Sequence, residues 1–295
     1  MIIDRPAGWL QERVGLALRN KVAGPDAPDR AAAIWGTTGT RWFTDADPIW
    51  RVHGDASMFP GGVAALLLQS LHPLAMAGVA GHSGFKGDPW GRLQRTSLYL
   101  ATTTFGTVTD AERMIARVRG IHRQVKGEDF RGRAYSASDP ELLRWVHVAE
   151  VFSFLAAYQA YAATPLTPAE ADLYVVQTNF AASRLGATGL PTSVTELHDQ
   201  LAAFRPDLES TPAAREAARF LLLNPPLSLL ERPGYAVLAT GGVGVLPAWA
   251  RIALRLPMLW PAPPLARGVG RIGTGLVRWG MAGLRDQRRT AALTR

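Results

Sequence analysis

Apolar residues recur every three or four positions along most of the chain, the spacing of one face of an α-helix. That periodicity predicts helices over roughly residues 6–20, 60–80, 88–105, 109–127, 138–163, 167–186, 193–205, 211–223, 243–255 and 264–285. Start signals reinforce several of them. Thr109-Asp110 precedes AERMIARVRG, and Asp139-Pro140 precedes ELLRWVHVAEVF. Thr167, with Pro168 in the first turn and Glu170 three residues on, reads as a capping box. Alternating strand patterns are nearly absent, so the expected fold is all-α, with no sheet larger than a hairpin. Two stretches interrupt the pattern. GGVAALLLQSLHPLAMAGVAG, residues 61–81, is long enough to span a bilayer, but Gln69, Ser70, His72 and Pro73 break it. It reads as a buried core helix kinked at the proline. LPMLWPAPPLA, residues 256–266, divides a helical body (1–256) from a C-terminal helical extension (257–295).

One predicted helix carries an unexpected stripe. In WGRLQRTSLYLATTTFG, residues 90–106, the residues Arg92, Arg95, Thr96, Tyr99 and Thr103 share one face, while Leu93, Leu98, Leu100 and Phe105 lie elsewhere. Surface arginines, or ion pairs to an acid such as Asp88, would account for it. So would a pocket for an anionic ligand.

Composition narrows the choices. The chain has 295 residues and no cysteine. Disulfides, thiolate metal sites, cysteine nucleophiles and covalent haem attachment are therefore excluded. The net charge of +8 is unevenly spread: residues 251–295 contain nine arginines and one acid, Asp286, and the rest is balanced. A neutral body argues against nucleic-acid binding and for a basic element at the C-terminus. On the tail helix, Arg267, Arg271, Arg278 and Arg285 flank Val269, Ile272, Leu276, Val277, Trp279 and Met281. This reads as a peripheral membrane contact through residues 264–289, or as a docked helix with solvated arginines. The N-terminal MIIDRPAGWLQERVGLALRNK has charges where a secretory leader needs an apolar run, so a cytoplasmic location is expected.

Familiar catalytic patterns fail. GTTGT (36–40) and GGVGV (241–245) lack the lysine of a phosphate-binding loop and read as turns. His147-x-x-Glu150 is the reverse of a di-iron motif and occurs once, and no paired aspartate clusters occur. GHSGF (81–85) is not a nucleophile elbow. Six histidines remain. His53 and His82 read as loop residues, His72 lies in the kinked segment, and His198 lies on a polar stretch. His147 shares a helix face with Glu150, which would satisfy its ring proton. His122 lies on an apolar face with Met114, Ile115, Val118 and Val125, with Arg119 and Lys126 beside it and no acid within a helical turn. An imidazole beside cations stays neutral. A neutral imidazole on an apolar face suits a haem iron, and the Arg92, Arg95, Thr96 stripe would suit haem propionates.

LLLQSLHPLAMAGVAGHSGFKGDPWGRLQRT, VRGIHRQVKG and YSASDPELLRWVHVAEVFSF, taken in order, resemble a family of haem b oxygenases. It includes the rubber-cleaving latex-clearing protein, the MpaB-type oxygenases and many bacterial proteins of unknown function, chiefly actinobacterial. The resemblance covers about residues 45–225 and implies an all-helical fold related to the globin arrangement, with additional helices. It makes His122 the proximal iron ligand and places Arg92 and Thr96 at the haem edge; Lys126, one turn beyond His122, is expected among the cofactor-binding residues. Arg95 stands where the latex-clearing branch can have a lysine. Because arginine does not give up its proton to bind iron, Arg95 would hydrogen-bond dioxygen or a propionate. The matching stretch HPLAMAGVAGHS has no acid where that branch has a distal glutamate; His72 or His82 would be the polar groups available there. The implied activity is oxidation or cleavage of a carbon–carbon double bond in an apolar, isoprenoid or lipid-like substrate by dioxygen. The alternative is a non-catalytic or peroxide-handling haem protein.

Overall fold

The computed structural model describes residues 5–82, 87–256 and 263–293. It is all-α apart from one hairpin: α1 (Arg5–Ala23), α2 (Ala27–Gly36), α3 (Pro48–His53), α4 (Met58–Gln69), α5 (Pro73–His82), α6 (Pro89–Phe105), α7 (Val108–His122), β1 (Lys126–Glu128), β2 (Ala134–Ser136), α8 (Pro140–Tyr161), α9 (Pro168–Leu185), α10 (Val194–Ala203), α11 (Pro212–Leu222), α12 (Arg232–Val245), α13 (Ala248–Ala253) and α14 (Pro263–Leu293). The strands pair antiparallel, Gly127 opposite Tyr135. No single described helix is long and apolar enough to cross a membrane.

The core forms where α4 meets α8. Leu67, Leu68 and Leu71 pack with Trp145, Val148 and Val151, all fully or almost fully buried. The two helices exchange hydrogen bonds: Trp145 Nε1 donates to the Gln69 carbonyl at 3.2 Å, and Gln69 Nε2 to the Val146 carbonyl at 3.1 Å. The start of α8 is fixed by Asp139, which accepts from Glu141 and Leu142 N–H. The capping box of Thr167 and Glu170 opens α9.

Several boundaries differ from expectation. The 60–80 segment is two helices, α4 and α5, bent by 108°. Pro73 has no N–H to continue the ladder, and the chain turns through Ser70, Leu71 and His72 before it. The expected 109–127 helix starts earlier, with Thr107 as cap accepting from Asp110 N–H, and stops at His122. Val125 to Glu128 leaves as extended chain, so Lys126 is not a helical neighbour of His122 but the exposed first residue of β1. Gly127 is required there, because a Cβ would lie 2.8 Å from the Tyr135 hydroxyl. GGVGV is not a turn but the end of α12. Its glycines let α12 lie close to Pro60 and Val63 on α4 and to α14. Helices α2 and α3 and most of α12 were not anticipated. His53 and His82 are the last residues of α3 and α5 rather than loop residues, whereas His198 is exposed as expected.

The tail helix α14 packs on α12, α1 and α8. Three of its arginines turn toward the body. Arg267 donates to the Gly244 carbonyl, and Arg271 to the Ala160 carbonyl at 3.0 Å. Arg278 pairs with both Asp55 oxygens at 2.9 Å and also donates to the Tyr161 carbonyl. The segment 257–262, most of the predicted break, lies outside the described residues, as does the side chain of Arg285.

Candidate functional site

The polar stripe on α6 runs from solvent into the interior. Asp88 caps α6, accepting from Gly91 N–H at 2.9 Å, and Pro89 occupies the first turn, so the stripe begins at a well-defined terminus. Arg95 and Thr96 are exposed. The Arg95 guanidinium pairs with Asp88 at 3.1 Å, and the Thr96 hydroxyl donates to the Arg92 carbonyl at 3.1 Å. Arg92 is half-buried, and burial together with the neighbouring Arg95 charge lowers its pKa. Further on, Tyr99 is half-buried, with its phenol pKa raised by burial and then by the charge of Glu150. Thr103 and Thr104 are buried.

The corner at Gly106 and Thr107 sends the chain back as α7, and the two helices pack together. Arg92 and His122 are each about 20 Å of helix away from that corner, at the far ends of the two arms. The end of α5 and the hairpin close the same end: Tyr135 Oη lies 3.2 Å from His82 Nδ1, and its ring lies against Gly78. His122 is half-buried, and burial lowers its pKa, so the ring is neutral at pH 7. Its Nδ1 is buried and has no hydrogen-bond partner.

Deeper lies a second polar group. His53 Nδ1 is 2.7 Å from Thr104 Oγ1, and His53 Nε2 is 3.3 Å from the Tyr174 hydroxyl. Burial holds the His53 pKa down to about 3. On α8, Glu150 is pushed up to about 7 by burial, and its charge acts on both Tyr99 and Tyr174. His147 does not bond to Glu150, as its helical spacing suggested. Its Nε2 lies 2.9 Å from Asn179 Oδ1 on α9, and Asn179 Nδ2 donates to the Pro191 carbonyl. Burial holds His147 down to about 4. His53, Tyr99, His147 and Glu150 each keep some accessible surface, yet desolvation dominates each shift.

Of the site residues expected from the sequence, Arg92 and His122 are the desolvated ones, and Arg95, Thr96 and Lys126 are exposed. Glu150, His53 and Tyr174 were not among the residues expected from the sequence to form a site. Glu150 did carry a signal, since it is the lone acid between Trp145 and Tyr161, with no cation three or four residues away. His72 lies at the α4–α5 bend against Trp145, in a shallow cleft of about 250 Å³ with Arg133, Asp139 and Asp207. Among the described residues, no group of three or more His, Asp or Glu side chains could hold a metal ion.

The helical body thus carries a neutral histidine on α7, a desolvated arginine on α6 and a carboxyl on α8 whose pKa burial raises. Residues 50–280 match the catalytic domain shared by the ER-bound oxygenase mpaB/B′ and rubber oxygenase. The chain belongs to this family of oxygenases. The matched span begins in α3 and runs into α14, and so takes in all the site residues above. No curated protein and no solved structure matches the chain.

Proposed function

We propose that the protein is a haem b-dependent oxygenase that acts with dioxygen on a carbon–carbon double bond of an apolar, isoprenoid or lipid-like molecule. The observation that carries this reading is His122: a neutral, half-buried imidazole whose Nδ1 is buried without a partner. A neutral imidazole is the form that can ligate iron through a ring nitrogen. No protein cluster is available to hold a bare ion among the described residues, which fits an iron delivered in its own macrocycle.

The surrounding residues fit that group. His122 would hold the iron, and Arg92 and Thr96 would serve the propionates with a fork donor and a hydroxyl. Arg95 and Lys126, both exposed, fit the solvent-facing carboxylate edge better than the iron's face. A bound haem would supply the iron at which dioxygen is activated. The chain's own contribution is the rest. Glu150, with a pKa of about 7, holds or releases a proton at its carboxyl near neutral pH, as a general acid or base requires. It offers this from α8, where the α5 stretch has no acid. His53 and Tyr174 fix the position of their own polar atoms through the Thr104–His53–Tyr174 chain.

The test is titration of the purified protein with haemin. A saturable Soret shift at one equivalent, together with dioxygen uptake when an apolar alkene is added, supports the reading. A protein that takes up no haem refutes it. Haem uptake with no dioxygen consumption assigns a binding or peroxide-handling role instead.

A further inference from the structure

The C-terminal helix sets Ala266, Thr274 and Val277 against the body and presents apolar residues on its outer side as well. Arg267, Arg271 and Arg278 reach inward to carbonyls and to Asp55, while apolar residues face out. Leu265 is 61% exposed, Ile272 67%, Leu276 61% and Trp279 39%. Their spacings of seven, four and three residues place them within a narrow arc, one stripe about 20 Å long. Gly268 and Gly275 complete it, so no charge interrupts the stripe between residues 265 and 279. On the neighbouring helix α1, Trp9 is 57% exposed, with the Arg13 guanidinium 4.8 Å above its ring. The Gln11 side chain between them donates to the Trp279 carbonyl at 2.7 Å, tying α1 to the stripe.

We propose that this face, the outward stripe of α14 with Trp9 and Arg13 of α1, seats the protein on an anionic lipid surface. An uncharged apolar strip with tryptophans and arginine stems at its margin matches the boundary between acyl chains and headgroups. Charge selects the occupant. Residues 251–295 carry nine arginines and one acid. Hydrogen bonds from Arg267 and Arg271 to carbonyls leave their charges intact, and both side chains are exposed. A second copy of the chain would bring the same positive charge against itself, whereas an anionic bilayer complements it. The proposal does not depend on haem, so its failure leaves the oxygenase reading untouched.

The test is co-sedimentation of the full-length protein with phosphatidylcholine vesicles, with and without phosphatidylglycerol. Binding to the anionic vesicles is expected, released by raising salt to about 0.5 M. The double variant Ile272→Glu/Leu276→Glu should bind at least ~10-fold less tightly, with unchanged far-UV dichroism and melting temperature. No binding, equal binding to neutral vesicles, or full binding by the double variant overturns the proposal. So does a dimer in sedimentation velocity that the double variant abolishes, which would assign the face to a second copy.

Discussion

Gly241 on α12 and Gly270 on α14 pass each other backbone against backbone. A Cβ on Gly241 would lie 2.8 Å from the Gly270 Cα, and a Cβ on Gly270 would also lie 2.8 Å from the Tyr161 hydroxyl. That hydroxyl donates to the Gly241 carbonyl at 2.7 Å, so α8, α12 and α14 meet at one point. Gly270→Ala should therefore lower stability by about 1–3 kcal/mol, the usual cost of overpacking. Gly268 has no atom within 4 Å of an added Cβ, and Gly268→Ala should be neutral or stabilising by up to about 1 kcal/mol. Thermal denaturation of the pair checks this; equal effects would mean that the close approach is not a constraint.

His122 and His147 should separate cleanly by substitution. His122 Nδ1 has no partner to lose, so His122→Ala should fold with near-native stability and fail to take up haemin. His147→Ala orphans Asn179 Oδ1 and should cost roughly 1–3 kcal/mol while retaining the Soret shift. The reverse pattern in the haemin titration would move the ligand assignment to α8.

Arg92 and Arg95 should also differ. Arg92 is desolvated, and its contact with an anionic haem edge should be worth about 1.5–3 kcal/mol. Arg95 is exposed and paired with Asp88, where ion pairs contribute about 0–1 kcal/mol. Haemin affinity should fall clearly in Arg92→Ala and little in Arg95→Ala, with helical content unchanged in both. Equal, small losses would leave the stripe without a ligand-binding role.

Stability should respond to pH in opposite senses through two kinds of buried group. His53 and His147 are held down to about 3 and about 4, below their unfolded value of about 6.5. Below pH 6.5 the unfolded chain binds protons that the folded one refuses, so stability is lost as pH falls from about 6.5 toward 4. His147→Gln should flatten that loss in a series of melts between pH 4 and 7; an unchanged slope would contradict the burial argument.

Glu150 works the other way. Its folded pKa is raised to about 7, so stability falls as pH rises from about 4.5 to 7 and stays low above that. Glu150→Gln should stabilise the protein at pH 8, by at most about 3 kcal/mol, with little effect at pH 4. If it carries the proton in catalysis, the same variant should remove the inflection near pH 7 from the pH–rate profile. Destabilisation at pH 8 would show the carboxylate to be paired.

How much of this was legible depends on where the determining forces lie. The caps at Asp139 and Thr167 are local, made by side chains two or three residues from the groups they satisfy, and the sequence displays them directly. The end of α7 is not local. Beyond it the chain pairs as β1 against β2, with Gly127 under the Tyr135 ring, and the apolar spacing of Val118, His122 and Val125 hides that. The α12 glycines read as a turn because their low helix propensity is visible, while the neighbouring helices that need their small size are not. His122 was legible as a neutral histidine on an apolar face, and Arg92 as part of a polar stripe. Glu150 was matched to the wrong partner, because helical spacing names neighbours on one helix and Asn179 comes from another.

The arginines of α14 have a mechanical consequence. The carbonyls of Ala160 and Tyr161, which accept from Arg271 and Arg278, are the last of α8, the helix that bears His147 and Glu150. The end of the chain thus finishes that helix from outside, satisfying acceptors its own backbone leaves open and placing positive charge at its negative pole. What the sequence presents as a basic appendage is a brace on the end of α8. Removing α14 would strip those acceptors of their donors at the C-terminal end of the helix that carries Glu150.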